Sequence, residues 1–152
     1  MKNSKISRAG FTLVETMVVV GIIGLLTSVS IPAFQKARSG SISSTISNNF
    51  RIYAQAFQVY AFEEGTWPED ATHGVVPGGM EGQLPRFTEE TAAGGNWDWE
   101  YQAVGVTAGI SLRDSTVDES VLQRVDEILD DGVLLTGNFI SNGDRVTFIL
   151  EK

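Results

Sequence analysis

The sequence predicts an α+β fold, in which a long N-terminal helical stem packs on a small antiparallel sheet with one further helix. The stem is expected to be transmembrane in its first half and amphipathic in its second. An apolar run over residues 11–34 and a helical periodicity that continues to about Phe62 predict the stem. Beyond it, short alternating segments between Gly-rich turns follow the order hairpin, helix, hairpin, which predicts an antiparallel sheet.

The first element is an apolar run with Glu15 as its only charged residue. As a helix, residues 11–34 would extend about 36 Å, enough to cross a hydrocarbon core of about 30 Å. Lys2, Lys5 and Arg8 precede the run, so the positive-inside rule places the N-terminus in the cytoplasm and the later residues outside.

Two ordinary interpretations fit the same run. It is compatible with a secretory signal cut near Ser28-Val29-Ser30, and with a plain signal anchor. Neither explains Glu15, because a carboxylate inside an apolar membrane helix costs a few kcal/mol and is a mark of function.

The residues around Glu15 carry a family resemblance. Arg8-Ala9-Gly10-Phe11-Thr12-Leu13-Val14-Glu15 resembles the cleavage site of type IV prepilins and of the pseudopilins of type II secretion. The resemblance implies that a membrane-embedded prepilin peptidase cuts between Gly10 and Phe11, and that Phe11 is then N-methylated. It also implies that the apolar stem stays in the mature protein.

Four stem residues are candidates for assembly. Glu15 would pair with the N-terminal amine of the next subunit and so set the register, because an unpaired charge in a low dielectric is heavily penalised. Gly21 and Gly24 lie on one helical face, where small residues let helices approach closely, although Gly is also common in membrane helices. Pro32 lacks an N–H and should kink or loosen the helix. The resemblance implies that the segment between Gly24 and Pro32 melts on assembly.

The second half of the helix, residues 35–64, is predicted to be amphipathic and to lie across the sheet. Its apolar residues recur near the helical period, and Gly65 gives a stop. Ser39-Gly40-Ser41 is a weak point where a bend is expected. Gly65-Thr66-Trp67-Pro68 resembles the turn that ends this helix in many pseudopilins. The predicted core-facing residues are Ile42, Ile46, Phe50, Tyr53, Ala54, Phe57 and Tyr60.

The head is expected to contain four strands and a helix. Trp97, Trp99 and Tyr101 alternate with polar residues, which predicts a half-buried strand whose tryptophans fill the core, with a second strand over residues 108–113. A helix should follow from Ser115 or Thr116 to about Asp130, with a capping box of Thr116 and Glu119. Two strands, over residues 133–140 and 145–150, should meet at a hairpin turn centred on Asn142-Gly143.

Composition excludes several classes of function. The sequence has no cysteine and a single histidine, His73, so thiolate metal sites, disulfides and histidine-based catalysis are not expected. The formal net charge is −8, and residues 63–152 hold eighteen acidic against five basic residues, which disfavours a nucleic-acid partner. We therefore predict no enzyme, no catalytic residue and no cofactor. Calcium is left open, because some major pseudopilins bind it near the C-terminus; the candidate ligands are Asp114, Asp118, Asp130 and Asp131.

The features together favour a structural subunit of a periplasmic or surface filament, either the pseudopilus of type II secretion or a type IV pilus-like polymer. Its division would be a leader (1–10), a transmembrane assembly stem (11–34), the amphipathic half of the helix (35–64) and an acidic α+β head (65–152). It would cross the bacterial inner membrane once, with its N-terminus cytoplasmic and its head periplasmic, before entering the filament.

The expected partners are copies of itself or other pilin-like subunits, the prepilin peptidase and an inner-membrane assembly platform. The missing cysteine pair, which closes a loop in many adhesive pilins, leans toward a secretion pseudopilin. One alternative is a bitopic anchored protein with an acidic ligand- or calcium-binding extracytoplasmic head. Another is a soluble domain released after Ser30.

Overall fold

The computed structural model of the protein describes residues 10–152, so the predicted leader, apart from Gly10, lies outside the described residues. The chain divides into two compact units, with the boundary between Arg38 and Ser39. The predicted α+β class is confirmed, and the described residues form α1 (Leu13–Glu64), β1 (Asn96–Tyr101), β2 (Ala108–Arg113), α2 (Glu119–Leu129), β3 (Phe139–Asn142) and β4 (Arg145–Glu151).

The first unit contains the apolar part of α1. Its side chains from Leu13 to Arg38 are all exposed, because the unit has no second layer on which to pack. Among residues 10–152 this is the one helix long and apolar enough to cross a membrane, with a mean hydropathy of 2.2 over its most apolar window. The helix continues through Pro32 and through Ser39-Gly40-Ser41, so neither position ends it.

The second unit is built on a four-stranded antiparallel sheet in the order β1-β2-β4-β3. Its inner face packs on the remainder of α1 through aromatic contacts. The Phe50 ring meets the Trp97 ring edge-on at 4.8 Å, and Phe57 stacks on Trp99 at 3.7 Å. The prediction that Trp97 and Trp99 fill the core is therefore confirmed, since each is 1% exposed.

The predicted core face of α1 is also largely confirmed. Ile46, Phe50, Tyr53, Ala54 and Phe57 are buried, whereas Ile42 and Tyr60 are partly buried at the two ends. Ser43 and Ser47 are buried on the same face of α1. The Ser43 hydroxyl donates to the Ser39 carbonyl at 3.0 Å, with the Val121 carbonyl at 3.2 Å, so its polarity is satisfied inside the core.

The predicted capping box of α2 is wrong. The helix begins at Glu119, after Asp118, which makes no side-chain capping bond. Thr116 is instead held by another loop, since its backbone N–H donates to the Ala93 carbonyl at 2.9 Å and its hydroxyl lies 3.3 Å from the same oxygen. The hydroxyl of Ser115 also donates to that carbonyl, so both predicted caps tie the 93–95 loop to β2.

The last hairpin differs from its prediction in two ways. The strand expected over residues 133–140 is confined to Phe139–Asn142, because residues 133–138 turn around two aspartates at the end of α2. Asn142 pairs with Arg145, so the turn is centred on Gly143-Asp144 rather than on Asn142-Gly143. Gly143, at φ +66°, supplies the positive φ that the first central position of such a turn requires.

The outer face of the sheet carries an ion-pair network that the alternation in β1 did not predict. Asp98 and Glu100 are each 4% exposed, although both side chains are carboxylates. Arg145 Nη1 donates to Glu100 Oε1 at 2.5 Å, and Arg113 lies 3.5 Å from Asp98 and 3.0 Å from Asp144. The long arginine side chains therefore bury the two carboxylates.

Candidate functional site

The start of α1 places the predicted processing and pairing residues close together in the chain. Gly10 and Phe11 lie ahead of the helix, and Phe11 is 79% exposed. Thr12 caps the helix, because its hydroxyl oxygen accepts the backbone N–H of Glu15 at 3.2 Å. Thr12-Leu13-Val14-Glu15 has the spacing of a capping box, a signal that sequence reasoning missed.

Glu15 is exposed in the first turn of α1. The unpaired backbone N–H groups at a helix N-terminus carry partial positive charge, so a carboxylate is tolerated there better than deeper in the helix. The predicted cleavage position, between Gly10 and Phe11, and the Glu15 carboxylate therefore lie near the same capped helix end.

The stem surface beyond Glu15 carries no charged side chain as far as Phe34. A Cβ added at Gly21 or Gly24 would meet no atom within 4 Å, so nothing in this chain requires glycine at either position. A shallow depression lined by Thr16, Met17, Val20 and Gly21 lies on the same helix. The hydroxyls of Thr16, Thr27, Ser28 and Ser30 all donate to carbonyls of their own helix, which removes their cost in an apolar medium.

A second site of interest lies where α2 ends. Carboxylate oxygens of Asp126, Asp130 and Asp131 lie within 4.8 Å of one another. Asp130 accepts from the backbone N–H groups of Asn138 and Phe139, and Asp131 accepts from the Val133 N–H at 2.8 Å. The loop that follows α2 is thus folded around two of the three acids.

Asp126 differs from its neighbours because its side chain is buried and neither carboxylate oxygen has a hydrogen-bond partner. Burial raises its pKa, and the charges of Asp131 and Asp130 raise it further, while the backbone amides of Gly132 and Asp131 oppose the shift without reaching hydrogen-bond geometry. An unpaired buried carboxylate facing two more carboxylates fits a hard divalent cation, which prefers oxygen ligands.

Of the four predicted calcium ligands, the structure brings together Asp130 and Asp131 and leaves Asp114 and Asp118 outside the cluster. Sequence reasoning missed Asp126. Its signal was available, because Asp126 falls in the apolar stripe of α2, four residues after Leu122 and one after the buried Val125. His73 is exposed in a loop, as a surface residue would be.

Comparison with known proteins finds one family motif and several curated relatives. Residues 6–31 match the prokaryotic N-terminal methylation motif. The chain is 32% identical to the fimbrial protein EcpC of Eikenella corrodens, over 57% of each chain. It is 39% identical to the prepilin peptidase-dependent protein D of Escherichia coli K12, over 37% of this chain and 38% of that one.

A further match is the type IV major pilin protein PilE1 of Neisseria gonorrhoeae, 31% identical over 53% of this chain and 50% of the pilin. The chain spans about half the length of the curated relatives that it matches first. No solved structure matches it. The methylation motif, the pilin relatives and the arrangement of a long N-terminal helix on a small antiparallel sheet agree with one another, and the chain is similar to type IV pilins and to a prepilin peptidase-dependent protein.

Proposed function

We propose that the protein is a structural subunit of a periplasmic or surface filament, either a type II secretion pseudopilus or a type IV pilus-like polymer. The observation that carries the proposal is an α1 whose apolar first part is 0% buried, in the segment that matches the methylation motif. An exposed apolar surface of this size must be covered either by lipid or by the stems of other subunits. The membrane would supply the lipid before assembly, and the filament would supply the neighbouring stems after it.

The match of residues 6–31 to the methylation motif supports the proposed processing. A prepilin peptidase cuts between Gly10 and Phe11, and Phe11 becomes the N-methylated terminus. Glu15 then pairs with that terminus on a neighbouring subunit, Gly21 and Gly24 let the stems approach, and Pro32 loosens the helix. These roles give the chain its division into leader (1–10), stem (11–34), amphipathic half (35–64) and head (65–152), with an inner-membrane assembly platform as a further partner.

The N-terminal peptide of the protein, taken from its native membrane, tests this proposal. A chain that begins at N-methylated Phe11 supports the prepilin route. A chain that retains Lys2 supports the bitopic anchored alternative instead, and a chain that begins at Ile31 supports a released soluble domain. The relatives carry pilin and fimbrial names, which favours a protein without catalytic activity.

We infer a second role for the head, the binding of a divalent cation by Asp126, Asp130 and Asp131. The buried, unpartnered carboxylate of Asp126 favours it. Adding Ca²⁺ to the chelated full-length protein in detergent should raise its Tm, and Asp126→Asn should abolish that rise. Asp114→Asn, outside the cluster, is the matched control. A Ca²⁺ response equal in all three proteins would refute the site.

A further inference from the structure

An open groove of about 540 Å³ lies beside the C-terminal end of α1. Aromatic side chains line it from three directions: Phe62 from the helix, Trp67 from the turn that follows, and Tyr101 from the end of β1. Phe62 is 90% exposed, and Trp67 and Tyr101 are partly exposed. The groove is open, so a side chain of another molecule can contact the three aromatic rings.

The groove is also acidic. Glu151 lines it and accepts the Trp67 indole N–H at 2.5 Å, which fixes the carboxylate against the ring. Asp70 accepts the backbone N–H of Tyr101 at 3.0 Å, and Glu63 and Glu64 follow Phe62 directly. Lys152 is the basic residue that follows Glu151 in the chain. Aromatic faces beside carboxylates attract a cation, since the negative face of each ring adds to the field of the acids.

The same chain carries a matching cationic segment. Residues 16–62 contain Lys36, Arg38 and Arg51 and no acidic residue. The Arg51 guanidinium donates to the Ile128 carbonyl at 2.8 Å within the head. Lys36 and Arg38 are exposed, and over residues 10–152 neither belongs to an ion pair.

We propose that the groove binds the Lys36–Arg38 segment of a second copy of the chain. The inference rests on the proposed filament function, because one surface of a subunit then meets a different surface of the next. Such a heterologous contact propagates along a polymer instead of closing a dimer. Opposite charges on the two surfaces set the orientation of an incoming subunit.

Disulfide crosslinking tests the contact, since the sequence holds no cysteine to interfere. The test pair is Ala37→Cys, between the two basic residues, and Thr66→Cys in the groove. The matched control replaces Thr66→Cys by Thr88→Cys, an equally exposed threonine of the head outside the groove. A third pair, Ser120→Cys with Thr66→Cys, tests the exposed Arg124 on the next turn of α2 as the occupant.

Oxidation of assembled filaments should convert the Ala37–Thr66 protein into a ladder of multiples of the subunit mass, several-fold above the Ala37–Thr88 control. Glu151→Gln in the test background retains an acceptor for the Trp67 indole but removes the charge, so the ladder should weaken about threefold. Glu90→Gln, an exposed acid of the head, should leave it unchanged.

Two results would overturn this contact and leave the filament function standing. In the first, filaments form but the test pair crosslinks no better than its control. In the second, they crosslink through the cysteine at position 120 instead. A wild-type chain that forms no filament under conditions in which its leader is cleaved would refute the filament function, and the contact with it.

Discussion

At the scale of single residues, the acidic side chains in unusual surroundings are the most informative. Glu15 could be recognised in the sequence because it interrupts an apolar run. Asp98 was harder to recognise, because its burial depends on Arg113 of another strand, and Asp126 was missed although it falls in the apolar stripe of α2. Asp126 lies under the turn after α2, and Asp98 under the side chain of Arg113. Sequence reasoning therefore found the assembly candidate and missed the buried acids of the head.

Replacing Glu15 by Gln tests the charge while retaining the size of the side chain. We expect Glu15→Gln to insert into the membrane and to be cleaved, but to yield at least about tenfold less sheared filament, because the neighbour's terminal amine loses its partner. Filament yield relative to membrane-bound subunit is the measurement. Glu64→Gln, at the far end of α1, is the control for a carboxylate lost from the same helix. Wild-type filament yield from Glu15→Gln would rule out the pairing.

Asp98 should make the stability of the head depend on pH. Burial raises its pKa from 3.8 to about 6, and Glu100 adds to the shift while Arg113 opposes it. An acid with a raised folded-state pKa binds more protons when folded, so its contribution to stability is lost as the pH rises from about 4 to about 6. Asp98→Asn removes this loss. The difference in the free energy of unfolding between the variant and the wild type should therefore be roughly 1–3 kcal/mol more favourable to the variant at pH 7 than at pH 4.

Thermal unfolding of the detergent-solubilised chain at both pH values measures this difference. An Asp126→Asn background removes the second carboxyl whose pKa is raised by burial. If Asp98→Asn shifts the Tm equally at pH 4 and pH 7, the buried carboxyl of Asp98 does not titrate in this range.

At the scale of elements, the periodicity of the sequence predicted the position and the buried face of the long helix better than the limits of the shorter elements. The extent of α1 and the buried face of its second half follow from periodicity, and the structure confirms them. The alternation in β1 predicted the strand but not the burial of its polar face, because Asp98 and Glu100 are buried as well as the two tryptophans. The start of α2 and the extent of β3 do not follow from periodicity, because hydrogen bonds outside the regular helix and strand pattern decide both of them. Thr116 is drawn to Ala93, and the turn after α2 is drawn to Asp130 and Asp131.

The loop that holds Thr116 depends on a glycine. Gly95 has φ +70°, and a Cβ there would lie 1.8 Å from the Arg113 carbonyl oxygen. We expect Gly95→Ala to lower the free energy of unfolding by about 3 kcal/mol or more, because both the φ value and the backbone contact must change. Gly78→Ala, with no atom within 4 Å of its Cβ, should be nearly neutral. Urea unfolding of the two variants compares them, and equal stability would contradict the close packing of this loop.

At the scale of the whole molecule, the two units have different physical requirements. The stem needs an apolar environment, because over residues 13–38 no side chain is buried within the chain. The second unit holds the buried side chains of the described structure, from Ser43 to Thr147. Its surface is acidic and favours water, so the two units require different surroundings.

This division predicts that residues 39–152 fold without the stem. The fragment retains every buried residue of α1, so it should unfold cooperatively in aqueous buffer, with a Tm within a few degrees of that of the full chain in detergent. A fragment that begins at Gln55 loses Ile46, Phe50 and Tyr53, and with them the rings that meet Trp97, so it should not fold. Circular dichroism and tryptophan fluorescence distinguish the two fragments. Aggregation of the 39–152 fragment with exposed tryptophans would show instead that the stem contributes to the stability of the head.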